Sequence, residues 1–287
     1  MKNRKLNAKR LNRSLGGDIM NIVVLVIFGS FMVLPMIYAI SNAFKPLDEI
    51  FMFPPRFFVR NPTLDNFRDL FLLMAQSWVP FSRYIFNTVF ITAAGTAGHV
   101  VVASMAAYAL EKHKFPGAKL FFSIVVTSLM FSPVVTAIPN YMVMAKLKWL
   151  DTYLALIIPA FGYSLGLFLM KQFMVTIPDS LLESARMDGA SEFRTFWTVA
   201  MPCVKPAWLT LIIFSFQTLW GATGSTFIYS EELKTLPYAL NQILLGGFAR
   251  AGVGAAVILL MMIVPVILFM VTQSSIIQTM STSGLKE

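Results

Sequence analysis

The sequence predicts an all-α integral membrane protein: a six-transmembrane-helix bundle with a cytoplasmic helical hairpin between the fourth and fifth spans. Three observations predict it. Apolar types make up 57% of the 287 residues and charged types 13%, against about 45–50% and about 25% in soluble domains. Six runs contain no Asp, Glu, Lys or Arg: 19–42, 84–110, 120–145, 152–170, 206–230 and 251–276. Each is close to or beyond the ~20 residues that a helix needs to cross a bilayer core of about 30 Å. A charge at the bilayer centre costs at least ~2.5–3.5 kcal/mol, so six such runs in a chain with 23 basic and 14 acidic residues mark six spans. Third, the basic residues sit unevenly between the runs. With the N-terminus inside, the inner segments hold 14 Lys and Arg and the outer ones 9. That bias, with a basic cluster before the first run, puts both termini in the cytoplasm.

The elements follow in order. Residues 1–18 form a basic cytoplasmic N-terminus with Lys2, Arg4, Lys5, Lys9, Arg10 and Arg13. The apolar run after it is too long for the ~7–15-residue core of a signal peptide. With Pro35 and Tyr38 inside it, it reads as an uncleaved first span. Residues 19–276 form the transmembrane domain. Its external loop, 43–83, holds Pro46, Pro54, Pro55, Pro62 and Pro80 among mixed charges and reads as a small cap on the bundle. The second span carries Ala93/Ala97, Ala94/Gly98 and Ala103/Ala107, and the last opens with Gly252 and Ala256. Such small-xxx-small pairs let helix backbones approach closely. Pro35, Pro133, Pro139, Pro159 and Pro265 mark kinks, which membrane bundles tolerate. Residues 277–287 form a cytoplasmic tail.

Several function classes are excluded. The net charge of +9 is explained by topology, and no basic patch or motif suits nucleic acid. Cys203 is the single cysteine, so neither a disulfide nor a Cys/His metal site can be built on it; it reads as a small packing residue. No carboxylate pair, metal cluster or nucleophile constellation sits at a span end, and the phosphate-binding Gly-x-x-x-x-Gly-Lys-Ser/Thr loop is missing. No cofactor is expected in this chain.

The internal loop 171–205 carries the most information. Between Pro178 and Gly189, Leu181, Leu182, Ala185 and Met187 can form an apolar face beside Glu183, Arg186 and Asp188. Asp179 or Ser180 can cap its start, and Gly189 permits a positive-φ turn. A second short helix is expected from Ser191 to Val199, ended by Pro202. Two short helices with an apolar face suit docking in a groove on a partner protein; an ordinary interfacial loop is the alternative.

The same stretch resembles the signature of bacterial ABC importer permeases: Glu-Ala-Ala, three residues, Gly, nine residues, Ile, one residue, Leu-Pro. Here Glu183-Ser184-Ala185 is followed by Gly189, then by Val199, Ala200, Met201 and Pro202 at the same spacing. Ser184, Val199 and Met201 depart conservatively. The resemblance extends over nearly the whole chain, to the carbohydrate-uptake branch and the maltose-type second permease. It rests on Phe44-Lys45-Pro46, Asn61-Pro62-Thr63-Leu64-Asp65-Asn66-Phe67, Asn87-Thr88, Ala106 to Leu110, Phe115-Pro116-Gly117 and Ala185 to Phe193. One departure touches the substrate: where that branch has a Trp-Asn-x-Phe-type stretch late in the fifth span, this chain has Trp220 to Phe227.

The resemblance implies a bacterial plasma-membrane complex of two permease subunits, two ATPase subunits that hold ATP and Mg, and an extracytoplasmic solute-binding protein. It assigns coupling to the ATPase to Glu183, Ser184, Ala185, Arg186, Asp188, Gly189, Ala190, Glu192, Phe193 and Pro202. Docking there would drive alternation between inward-open and outward-open cavities. Aromatic faces with hydrogen-bonding side chains suit a sugar, which makes Asn140, Tyr141, Tyr163, Gln217, Trp220 and Thr223 pathway candidates; interfacial anchoring or helix-to-helix hydrogen bonding is the alternative for each. His99, the one ionisable side chain in a span, is a functional suspect or a hydrogen-bonded core residue. A glycerol-phosphate permease and a stand-alone secondary transporter are the other functions considered.

Overall fold

The computed structural model describes residues 15–283 except 77, 248 and 249. The basic cluster Lys2 to Arg13 and residues 284–287 lie outside the described residues. Among those described, every regular element is a helix. Three helices are long and unbroken: α1 (Leu15–Ala43), α4 (Phe81–Lys112) and α14 (Ala251–Ser283). At 1.5 Å per residue each is more than long enough to cross a bilayer. A fourth crossing is made by α7 (Leu154–Phe161) and α8 (Ser164–Met174), interrupted at Gly162 and Tyr163. The count of apolar crossings rises to six when two bent pairs are each taken as one.

The bends are the main difference from the predicted spans. Run 120–145 becomes α5 (Ala118–Ser128) and α6 (Pro133–Lys146), which meet at 114°. Pro133 breaks the helix where a kink was expected. A residue before proline is driven out of the helical region, and Ser132 is extended at φ −67°, ψ 142°. Proline then suits the first turn of the new helix, and the Ser132 hydroxyl accepts from the Val134 amide at 3.4 Å. Run 206–230 is helical only as α12 (Lys205–Trp220). Beyond it Gly221 caps the helix, Gly224 takes φ +66°, and the chain folds back on the loop before α7. There the Asp151 amide donates to Phe227 O at 2.8 Å, and the Tyr229 and Ser230 amides donate to the Asp151 carboxylate at 2.9 and 2.8 Å.

α4 is the axis of the bundle, packed on α7, α8 and α12, while α1 lies along α14. Gly98 and Gly95 let α4 approach closely: a Cβ at Gly98 would collide with the Phe161 ring, and one at Gly95 would lie 2.6 Å from Leu219 Cδ1. The cap end is built from α2 (Leu47–Ile50), α3 (Asp65–Ala75) and α13 (Leu236–Leu244). Its buried charges are paired. Lys45 Nζ donates to Asn42 Oδ1 at 2.7 Å and Arg56 O at 2.6 Å; Glu49 accepts from the Arg60 amide at 2.8 Å. Asn87 and Thr88 tie α4 to this end: Asn87 Nδ2 donates to Glu232 O and Lys234 O, both at 2.8 Å, and Thr88 Oγ1 accepts from the Leu236 amide at 2.7 Å. By contrast α5 buries no side chain and α6 only Met144. So much exposed apolar surface requires lipid or another chain to cover it.

Candidate functional site

At the opposite end from the cap, residues 175–204 form the expected hairpin. α9 (Asp179–Met187) and α10 (Glu192–Thr195) are joined through Gly189 at φ +81°, a backbone region costly for residues with a Cβ. The Ser191 hydroxyl caps α10, accepting from the Arg194 amide at 3.4 Å. α10 continues through a π-helical turn, Phe196–Ala200, into α11 (Met201–Cys203), and this arm meets α12 at 84°.

Polar anchors hold the hairpin to α4. Lys112 Nζ donates to Ile177 O at 2.6 Å and to Asp179 Oδ1 at 2.8 Å, and this bond holds the Asp179 carboxyl below the usual carboxylate range. Glu192 accepts from Arg186 Nε at 2.7 Å and from Tyr108 Oη at 3.3 Å, with His113 Nε2 at 3.7 Å. The hydrogen bond to Glu192 in turn raises the Arg186 guanidinium above its ordinary value. The apolar anchor is Leu182, 2% exposed, in a cluster with Ala107, Met170, Met174, Phe196 and Val204.

The apolar face expected on α9 is thus divided. Leu182 turns inward and Ala185 is half-buried, while Leu181 and Met187 are exposed. Phe193 and Trp197, on the second arm, are exposed as well, and Met187 is 88% exposed at the tip. Glu183, Ser184, Asp188 and Pro202 are solvent-facing and Ala190 is half-buried. All the residues assigned to coupling therefore lie on one compact hairpin, with Arg186 and Glu192 clasping its two arms.

The six pathway candidates do not gather in one place. Asn140 and Tyr141 lie exposed on α6, where the Tyr229 hydroxyl donates to Tyr141 Oη at 3.1 Å. Gln217 is exposed on α12. Trp220 is buried, stacked on Phe216 at 5.5 Å, with its indole N–H on Met261 O at 3.1 Å. Thr223 sits in the irregular turn after α12, where its carbonyl accepts from Thr235. Tyr163 lies at the α7–α8 break, its ring edge-on to His99 at 5.4 Å.

Of the polar groups that do converge, only His99 was singled out in the sequence. His99, Ser128, Ser164, Ser215 and Thr218 line a cavity of about 410 Å³ between the α5–α6 turn, the start of α8 and α12. A larger cavity of about 1030 Å³ between α4, α12 and α14 is almost wholly apolar; Thr92 and Thr96 border it with buried hydroxyls that have no partner among the described residues. Single serines in apolar runs gave no signal, because their convergence depends on two helix breaks.

Residues 99–282 match the family described as binding-protein-dependent transport system inner membrane component. The protein LplC of Bacillus subtilis is 33% identical over 225 residues, 77% of this chain and 72% of that protein. The sn-glycerol-3-phosphate transport system permease protein UgpE of Pectobacterium atrosepticum is 30% identical over 207 residues, 72% of this chain and 74% of its own. The polygalacturonan/rhamnogalacturonan transport system permease protein YtcP of Bacillus subtilis is 30% identical over 216 residues, 74% of this chain and 72% of its own. The same fold recurs in a crystal structure of a bacterial ABC transporter for import of the acidic polysaccharide alginate: TM-score 0.75, 23% identity, 92% of this chain and 99% of that chain.

Proposed function

The chain belongs to the binding-protein-dependent transport system inner membrane component family, and from that premise we propose that it is one permease subunit of an ABC importer for a carbohydrate. Its complex would pair it with a second permease, two ATPase subunits that hold ATP and Mg, and an extracytoplasmic binding protein. Both termini would face the cytoplasm of a bacterial cell.

The hairpin is the observation that carries this reading. A soluble loop has no reason to expose Leu181, Met187, Phe193 and Trp197 together, whereas a helix pair seated in a cleft does. Glu183, exposed on the same arm, would add a charge-assisted contact. The hairpin is also joined to α4 by Lys112–Asp179 and Tyr108–Glu192, one on each arm, so that closure of the docked ATPases would turn the hairpin and α4 as one body. The solutes named for YtcP and for the alginate importer support a carbohydrate. A glycerol-phosphate solute is the second reading, favoured by the likeness to UgpE. Dependence on a binding protein argues against a stand-alone transporter.

Co-purification tests the reading. The chain would be expressed with its neighbouring permease and candidate ATPase, as wild type and as the Glu183→Ala, Gly189→Pro double variant. Proline removes the Gly189 amide that bonds to Arg186 O at 3.0 Å and forbids positive φ. The expected result is loss of ATPase from a permease pair that still elutes as a complex. Full retention of the ATPase would reject the hairpin as its docking element.

A further inference from the structure

The cavity of about 410 Å³ lies where two broken spans face α12. α5 ends at Ser128 before α6 restarts at Pro133, and α7 ends at Phe161 before α8 restarts at Ser164. Non-helical backbone at membrane depth persists only where protein buries it or water fills the space it lines. The rim of this cavity is exposed at Phe131, Leu165, Phe214 and Thr218.

The direction of each hydrogen bond defines what the cavity offers. His99, 2% exposed, has Nε2 3.2 Å from Tyr163 O and Nδ1 2.6 Å from Ser215 Oγ. A carbonyl only accepts, so Nε2 carries the proton and the neutral ring accepts from the Ser215 hydroxyl. Ser128 donates to Val125 O at 2.6 Å, which makes Ser164 the donor in its 2.5 Å contact with Ser128. Thr218 donates to Phe214 O at 2.9 Å. The protons of these serine and threonine hydroxyls are thus taken up within the protein, and the outward capacity of Ser164 and Thr218 is acceptor lone pairs. Beside them Phe131 and Phe214, 57% and 45% exposed, offer aromatic surface.

We propose that this notch is a solute-contact site of this subunit, in which the serine and threonine oxygens accept from the hydroxyl groups of a polyhydroxylated solute lying against Phe131 or Phe214. The inference rests on the importer reading and deepens it by naming the residues and the functional group they recognise. Hydroxyl donors are shared by a sugar ring and by the glycerol moiety of a phosphate ester, and the test separates the two.

Cysteine accessibility in the assembled complex tests the site. Cys203 is first changed to Ser, and recovery of the ATPase with this parent is scored before labelling; failure there would count against the importer reading itself. Ser164→Cys and Thr218→Cys are then made in proteoliposomes, with Ile258→Cys on the exposed face of α14 as the control. The probe is 2-sulfonatoethyl methanethiosulfonate, which does not cross membranes. A water-lined site predicts labelling at Ser164→Cys or Thr218→Cys about ten-fold faster than at Ile258→Cys, in the nucleotide-free or the ATP–vanadate state, because only a cavity admits the reagent at that depth. Excess maltotriose or sn-glycerol 3-phosphate is expected to slow it. Protection by maltotriose identifies the sugar ring, and protection by glycerol 3-phosphate the glycerol moiety. Labelling no faster than the control, or unprotected by both compounds, overturns the proposal while the ATPase remains bound.

Discussion

Replacing Gly166 by alanine tests the joint on which three helices converge. The new Cβ would fall on the His99 ring and 2.8 Å from Leu211 Cδ1. His99 has no free direction of retreat, since its nitrogens engage Ser215 and Tyr163. Overpacking a filled interior costs about 1–3 kcal/mol, and displacing the ring forfeits a bond to Tyr163 O of about 0.5–1.5 kcal/mol. Alanine returns at most about 1 kcal/mol of helix propensity, so the clash wins by about 0.5–3.5 kcal/mol. With about 2–4 °C per kcal/mol for a chain of somewhat smaller size, the unfolding midpoint should fall by about 1–14 °C. The assay is thermal unfolding of the purified chain in one detergent, monitored by size-exclusion recovery. In a His99→Ala background the same substitution should cost less, by a coupling of about 0.5–3 kcal/mol. An unchanged midpoint, or an equal loss in both backgrounds, would refute the argument.

Two further outcomes follow from polar groups elsewhere. Thr92 and Thr96 each bury a hydroxyl without a partner among the described residues. Because an unmade buried hydrogen bond costs about 1–3 kcal/mol, Thr92→Val with Thr96→Val should leave the midpoint of the isolated chain unchanged or higher; a fall would show that the hydroxyls are paired. Asp151 latches the loop before α7 to residues 229–230, and its carboxyl is held below the usual range by the Ser230 hydroxyl and amide, with Tyr229 adding a weaker backbone bond. A depressed carboxyl stabilises fully above its unfolded value of about 3.9 and loses that contribution as pH falls through the folded value. Limited proteolysis of residues 221–230 should therefore be slow at neutral pH and accelerate in acid below about pH 4. Asp151→Asn should remove that acid step, and an acid step of the same size in the variant would refute the latch.

What the sequence revealed was set by composition and local patterning. Charge-free runs located α1, α4 and α14, and the Glu183 to Pro202 spacing located the hairpin, because both signals lie within a few turns of chain. The structure of the runs was less legible. Pro133 read as a kink, yet the restriction it places on Ser132 breaks the span at 114°. The charge-free run 206–230 read as one span, yet its helix ends at Trp220, before Gly221 and Gly224. The apolar face of α9 was visible as a set, but not its division between buried Leu182 and exposed Met187, which depends on where Lys112 and Tyr108 of α4 end. The pathway candidates were chosen by residue type, and convergence is a property of the fold. Only Tyr163 among them borders the His99 cavity, while Ser128, Ser164, Ser215 and Thr218 came together through the breaks beside them.

The central claim is that the hairpin is where this chain meets an ATPase, and a cross-link from its tip tests that most directly. Met187, 88% exposed, would be changed to cysteine in the Cys203→Ser background. It would carry a short photoactivated cross-linker in membranes that contain the neighbouring permease and the candidate ATPase. The account predicts an adduct between this chain and the ATPase, weakened by Glu183→Ala and missing from Ile258→Cys in the body of the bundle. An adduct of equal yield from Ile258→Cys, or none from Met187→Cys in a complex that still contains the ATPase, would contradict it.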